Sequence, residues 1–177
     1  MSTPLEFEPV QIVPPGMESL ACSCLRPKGW LQPALPQEEP SFETPTYFLP
    51  LLVTVAPYGA VLFSIAVRPA YGDGCVRDWM LYLCGEQGIQ IEGLRDVRVS
   101  GSPALMADAT QATDAGPMRL RLILLEDGER LYNVSVMAPE AIWPSLEPTL
   151  EQLLISFRLA HVSGPTAPLG PEPQAEP

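Results

Sequence analysis

The chain has 177 residues, 46% of them apolar, with ten Lys and Arg against twenty-one Asp and Glu, a formal net charge of −11. That length supports one hydrophobic core and not two, and an acidic surface repels phosphate backbones and anionic lipid, which argues against nucleic acid and membrane-surface partners. Lys28 is the only lysine, so neither a Schiff-base lysine nor a phosphate-loop lysine is expected in the core.

In chain order, MSTPLEFEPV carries acids and a proline where a secretory leader would carry positive charge before an apolar run of about 7–15 residues. The cytoplasm is therefore the expected compartment. Residues 1–16 read as a flexible leader, in which Val10, Ile12 and Val13 would supply a short edge strand before Pro14-Pro15-Gly16. Cys22 and Cys24 in SLACSCL fall on one face of a strand, and with Cys75 and Cys84 they read as small hydrophobes in a reducing setting. The only histidine, His161, opens a Pro-rich tail, so no zinc site and no nucleophile–histidine pair is expected, and no cofactor either. From Gln32 to Pro50 five prolines and a run of acids mark a loop, anchored by Phe42, Tyr47 and Phe48.

Strand signals follow. LLVTVAPYGAVLFSIAVRP places two β-branched apolar runs around Pro57-Tyr58-Gly59 and predicts a hairpin with Val61, Phe63, Ile65 and Val67 on one face. These apolar runs fall well short of the roughly 20 residues of a spanning helix. The period then changes: Val76, Trp79, Met80 and Leu83 recur at helical spacing, with Asp73 as the expected cap and Gly85 or Gly88 as the stop. IQIEGLRDVRVSGSPALMADATQAT reads as strands around a turn at Gly101-Ser102-Pro103. In MRLRLILLEDGERLYNVSVM, Met118, Leu120, Leu122 and Leu124 form one apolar face, Arg119, Arg121 and Ile123 the other, and Asp127-Gly128 is a hairpin signal. PSLEPTLEQLLISF predicts a closing helix with Ser145 as cap, Pro148 in the first turn, and a stripe of Leu146, Leu150, Leu153, Leu154 and Phe157. Residues 161–177 read as a disordered Pro-rich tail, leaving 17–160 as a single domain.

Strands and helices in this order do not alternate as βαβ units. They predict an α+β fold, a mainly antiparallel central sheet with helices on its faces. The text PKGWLQPA, VRDWMLYL and RLYNVSVMAPEAIWPSLEPTLEQLLISFRL resembles the PsbP-like superfamily, whose other branches include the bacterial DcrB-like proteins and the Ran-binding nuclear-import factor. The resemblance rests on Gly29-Trp30, Trp79, Ser102-Pro103-Ala104, the Glu126 to Arg130 hairpin and Ser156-Phe157, and covers about residues 20–159. It implies an α/β/α sandwich and a binding, assembly or adaptor role, including effector-binding chaperones of type VI secretion. The Pro-rich acidic loop at residues 33–50 departs from those chaperones.

Among individual residues, Arg119 and Arg121 alternate with leucine on one strand, which sets two guanidiniums about 7 Å apart on one face; with Arg68 and Arg98 they are candidates to receive a carboxylate-bearing partner. The alternative is that they lie over the sheet and pair with acids on the covering helices. Trp79 is expected in the core. Trp30, at a strand end, would line a groove beside Tyr71, and Trp143, between Pro139 and Pro144, is divided between core and interface. The acids Asp73, Asp78, Asp108 and Asp114 form no recognisable catalytic spacing and are expected to be solvated. The resulting expectation is a non-enzymatic adaptor or chaperone-like protein with a protein partner, possible also as a homodimer, that binds through Trp30, Arg68, Tyr71, Arg119, Arg121 and Trp143. The competing class is a small-carboxylate receptor or weak enzyme with a pocket lined by Arg and Asp.

Overall fold

The computed structural model describes residues 5–36, 41–70 and 75–160. The elements run β1 (Phe7–Ile12), β2 (Cys22–Pro27), β3 (Leu49–Val55), β4 (Leu62–Pro69), α1 (Val76–Glu86), β5 (Gln90–Val99), β6 (Ser102–Thr113), β7 (Gly116–Asp127), β8 (Arg130–Pro139), α2 (Trp143–Ile155) and β9 (Arg158–Leu159). They build two antiparallel sheets: a six-stranded one in the order β3-β4-β8-β7-β6-β5 and a three-stranded one in the order β1-β2-β9. No helix among the described residues is long and apolar enough to cross a membrane.

Alternation along each strand decides which layer a side chain joins. Met118, Leu120, Leu122 and Leu124 of β7 pack with Met80, Leu83 and Cys84 of α1, together with Leu105, Ala107 and Ala109 of β6. The opposite face carries Phe63, Ile65 and Val67 of β4, Ile123 and Leu125 of β7, and Tyr132, Val134 and Val136 of β8. It is covered jointly by α2, through Leu150, Leu153 and Leu154, and by the small sheet, through Ile12, Cys22, Cys24 and Leu159. The architecture is thus an α/β/α sandwich around a mainly antiparallel sheet, with a second small sheet sharing the α2 layer.

Several expected boundaries move, for physical reasons. The chain's first strand is the edge of the small sheet, each of its residues paired with β2. The third hairpin turns at Ser100-Gly101, one residue earlier than expected; both have positive φ (52° and 79°), as the two central positions of a type I′ turn require, and Ser102 and Pro103 already lie in β6. α2 is capped at Ile142 and starts at Trp143, in place of the expected cap at Ser145, because this places the indole against the sheet, where it is 2% exposed. In consequence Pro148 lies inside the helix and not in its first turn, while Ser145 bonds back to the Ile142 carbonyl (2.7 Å). Asp73, the expected cap of α1, lies outside the described residues. The Asp78 carboxylate accepts the Cys75 N–H at 3.4 Å, and Gly88, with φ 65°, follows the helix end.

Candidate functional site

Two of the three tryptophans are core residues. Trp30 is 6% exposed and Trp143 2%, both within the α2-side core, which corrects the expectation that they line a binding groove. An indole offers so much apolar area that a loop position does not keep it in water when a sheet face lies alongside. Trp79 is only half-buried: it packs on the α1-side core and meets Tyr82 edge-to-face at 6.4 Å. Tyr71 and His161 lie outside the described residues.

The arginines separate by face. Arg68, 2% exposed, points to the α1 side, where its guanidinium lies 4.6 Å from the Trp79 ring centroid and 5.8 Å from that of Phe48, and its Nε donates to the Pro69 carbonyl at 3.2 Å. Arg119 and Arg121 share the opposite face, each within 6 Å of the Trp143 ring. The Arg121 Nε donates to Asp108 (2.6 Å) and its second terminal nitrogen to Glu147 on α2 (2.9 Å). Burial opposes the Arg121 charge, but the hydrogen bonds and charges of Asp108 and Glu147 outweigh it and raise the guanidinium pKa. Asp108 also accepts from Arg95 (2.8 Å), and Arg119 reaches Glu92 at 3.6 Å. Acids do stand at hydrogen-bond distance of Arg121, as a carboxylate receptor needs, but they belong to this chain and occupy it. The pairing reading describes Arg121, which meets Glu147 of the covering helix, although its other partner, Asp108, and the acid beside Arg119, Glu92, lie on strands.

Of the other acids, Asp78 serves α1 and Asp114 stands in the β6–β7 turn, so the described candidates do not converge with Asp108. Among the described residues no group of three His, Cys, Asp or Glu is arranged to hold a metal. Burial pushes the Cys22 and Cys24 thiols up to about 12 and Cys84 to about 11, which keeps them protonated and unreactive at neutral pH.

A different concavity is open. A groove of about 720 Å³ is lined by Leu25, Arg98, Val99, Ser100, Gly101, Gln152, Ile155, Ser156 and Arg158. It lies where β5, the last strand of the large sheet, meets β9, the last strand of the small one, at the C-terminal end of α2. Two serines hold these parts together: the Ser156 Oγ accepts the Leu25 N–H (2.9 Å) and donates to the Leu153 carbonyl (2.6 Å), and the Ser100 Oγ accepts the Leu159 N–H (3.0 Å). Their hydroxyls are therefore structural. Among the described residues no acid lines the groove, and its two arginines bond only to backbone: Arg98 to the Gly101 carbonyl (3.2 Å), Arg158 to the Ile155 and Phe157 carbonyls (2.6 and 2.7 Å), where it caps α2. Ile155 leaves 55% of its surface exposed on the same rim. Arg98 was a candidate from sequence; Arg158, Gln152 and Ser100 were not, because only the meeting of two sheet edges brings them together.

No family model matches the sequence, and no curated protein does. Among solved structures the chain is similar to the cyanobacterial PsbP of Synechocystis sp. PCC 6803, at 9% identity over 89% of this chain and 94% of that one, with a TM-score of 0.63. The chain has the PsbP-like fold. It is also similar to LpqN of Mycobacterium tuberculosis, a protein involved in cell envelope biogenesis, at 11% identity over 86% of this chain and 90% of that one, with a TM-score of 0.58. At such identities the PsbP-like fold is what is shared, and function has to be argued from the groove.

Proposed function

We propose that this protein is a non-catalytic interaction module of adaptor or chaperone-like type, which holds an extended segment of a protein partner in the groove between β2, β9, the β5–β6 turn and the end of α2. The observation that carries the reading is that the groove opens beside β5, the edge strand of the large sheet, with an apolar rim at Leu25 and Ile155, so an extended segment can lie along it while the Leu25 and Leu159 N–H groups stay with the two serines. The cytosol is the compartment that goes with it, since all four cysteines are unpaired. An effector of type VI secretion is a partner class that the family resemblance suggests.

The test fills the groove. Gln152 is an exposed position on α2, and Gln152→Trp would occupy the volume without touching the core. Tagged full-length protein is purified from its native source alongside Gln152→Trp, with cross-linking to locate the contact. The expected result is a stoichiometric protein partner, cross-linked through an extended segment to the groove and lost from the variant. A partner retained by Gln152→Trp, or a second copy of this chain occupying the groove, overturns the reading. Fractionation of the same cells tests the compartment, an extracytoplasmic location being the contrary outcome.

A further inference from the structure

We infer that the groove selects acidic segments, with carboxylates of the partner seated on Arg98 and Arg158. This deepens the proposed function and rests on it. The chain carries twenty-one acids for ten basic groups, and among the described residues four of its nine arginines, with Lys28, stand in ion pairs with its own acids. Arg26 pairs with Glu8, Lys28 with Glu6, Arg95 with Asp108, Arg119 with Glu92, and Arg121 with Asp108 and Glu147. Arg98 and Arg158 are exposed, share one groove, and have no carboxylate partner among the described residues.

Their remaining hydrogen bonds define what is on offer. In both, a single terminal nitrogen is committed to backbone carbonyls, which fixes the head group and leaves the edge formed by Nε and the second terminal nitrogen directed elsewhere. That edge is the fork that receives a carboxylate through two parallel hydrogen bonds. Arg158 is held by two carbonyls at the α2 terminus and Arg98 by the Gly101 carbonyl, so part of their side-chain freedom is already given up before binding. Leu25 and the exposed Ile155 lie beside the two cations. The occupant that matches is an extended segment alternating acidic and aliphatic residues, whose side chains take turns between the guanidiniums and the apolar rim.

The probe is a fluorescently labelled peptide of about ten residues alternating glutamate and leucine, so that acids recur every second position. Its binding to the full chain is read by anisotropy against a glutamine-for-glutamate counterpart. The expected result is binding of the glutamate peptide alone, weakened at least about tenfold by Arg98→Glu, with Arg77→Glu on α1 as a control outside the groove. Arg158→Gln should weaken it similarly; because that residue also caps α2, it is read only alongside a thermal unfolding curve, and Arg98→Glu decides if the fold suffers. Equal binding of the glutamine peptide, or indifference to Arg98→Glu, overturns the inference. Competition by succinate as effective as the peptide also overturns it, in favour of a small-carboxylate site. A partner that is lost with Gln152→Trp yet insensitive to Arg98→Glu removes the acidic selectivity while leaving the groove reading standing.

Discussion

Arg121 holds a charge in a place where water hardly reaches, and it does so because two carboxylates from different elements converge on it. Removing it strands Asp108 with Arg95 alone and leaves Glu147 without a partner. Arg121→Met should therefore cost about 2–3 kcal/mol in urea unfolding, less than the ~3–5 of a fully buried broken pair, because Arg95 remains and Glu147 is half-exposed. The thiols give a pH signature. Burial raises Cys22 and Cys24 from 9.0 to about 12, so the unfolded chain gives up these protons first. Their contribution to stability is complete below pH 9 and falls as pH rises towards 12. Unfolding free energies taken across that window should fall more steeply for the wild type than for Cys22→Ala/Cys24→Ala, by up to about 1.4 kcal/mol per pH unit for each thiol. Equal slopes would mean that the thiols already ionise in the folded state. Alternation in the sequence was enough to assign Arg119 and Arg121 to one face. It did not single out Asp108 and Glu147 as the partners of Arg121, or Glu92 beside Arg119, since those contacts span elements, and it misplaced Trp30 and left Trp143 open because burial of an indole is decided by what packs over it.

At the scale of elements, the β5–β6 turn works twice, reversing the chain and presenting the Ser100 hydroxyl to β9. Ser100 adopts, at the first central position of that turn, a left-handed φ of 52° that a side chain ordinarily avoids, and from there its hydroxyl accepts the Leu159 N–H. Ser100→Ala keeps the strain and loses the bond, and should destabilise by about 1–2 kcal/mol; Ser100→Gly loses the bond but relieves the strain, and should cost less. Chemical denaturation of both variants checks the order, and an Ala variant as stable as the Gly one would mean that strain is not a factor. The helices and hairpins were legible because period and turn residues are local properties: Val76 to Leu83 keep helical spacing, and Asp127-Gly128 and Pro57 to Gly59 sit where chains reverse. The start of α2 was not legible. Ser145 is a good cap on local grounds, but burying Trp143 pulls the cap back by three residues, to Ile142, and leaves Pro148 in the helix interior.

For the molecule as a whole, one core joins both sheets. Phe157, fully buried and 5.8 Å from the Tyr132 ring, lies between α2, the small sheet and the large one. Phe157→Ala should cost about 3–5 kcal/mol and lower the urea midpoint in a single transition, with amides of β2 and β7 losing protection together. Separate transitions would show the small sheet to be an independent unit. The pairing of β2 with β9 could not be read from sequence, because a two-residue strand has no pattern, and the groove depends on that pairing. The Ser156 bond to Leu25 spans 131 residues. On a chain made from its N-terminus, the hairpin of β1 and β2 therefore precedes its cover and waits, with Ile12, Cys22 and Cys24 uncovered, until α2 and β9 have been synthesised. Birth order and folding order run in opposite directions here: the strands made first are the ones sealed last, and a ribosome stalled before α2 would release a chain with a sticky N-terminal hairpin.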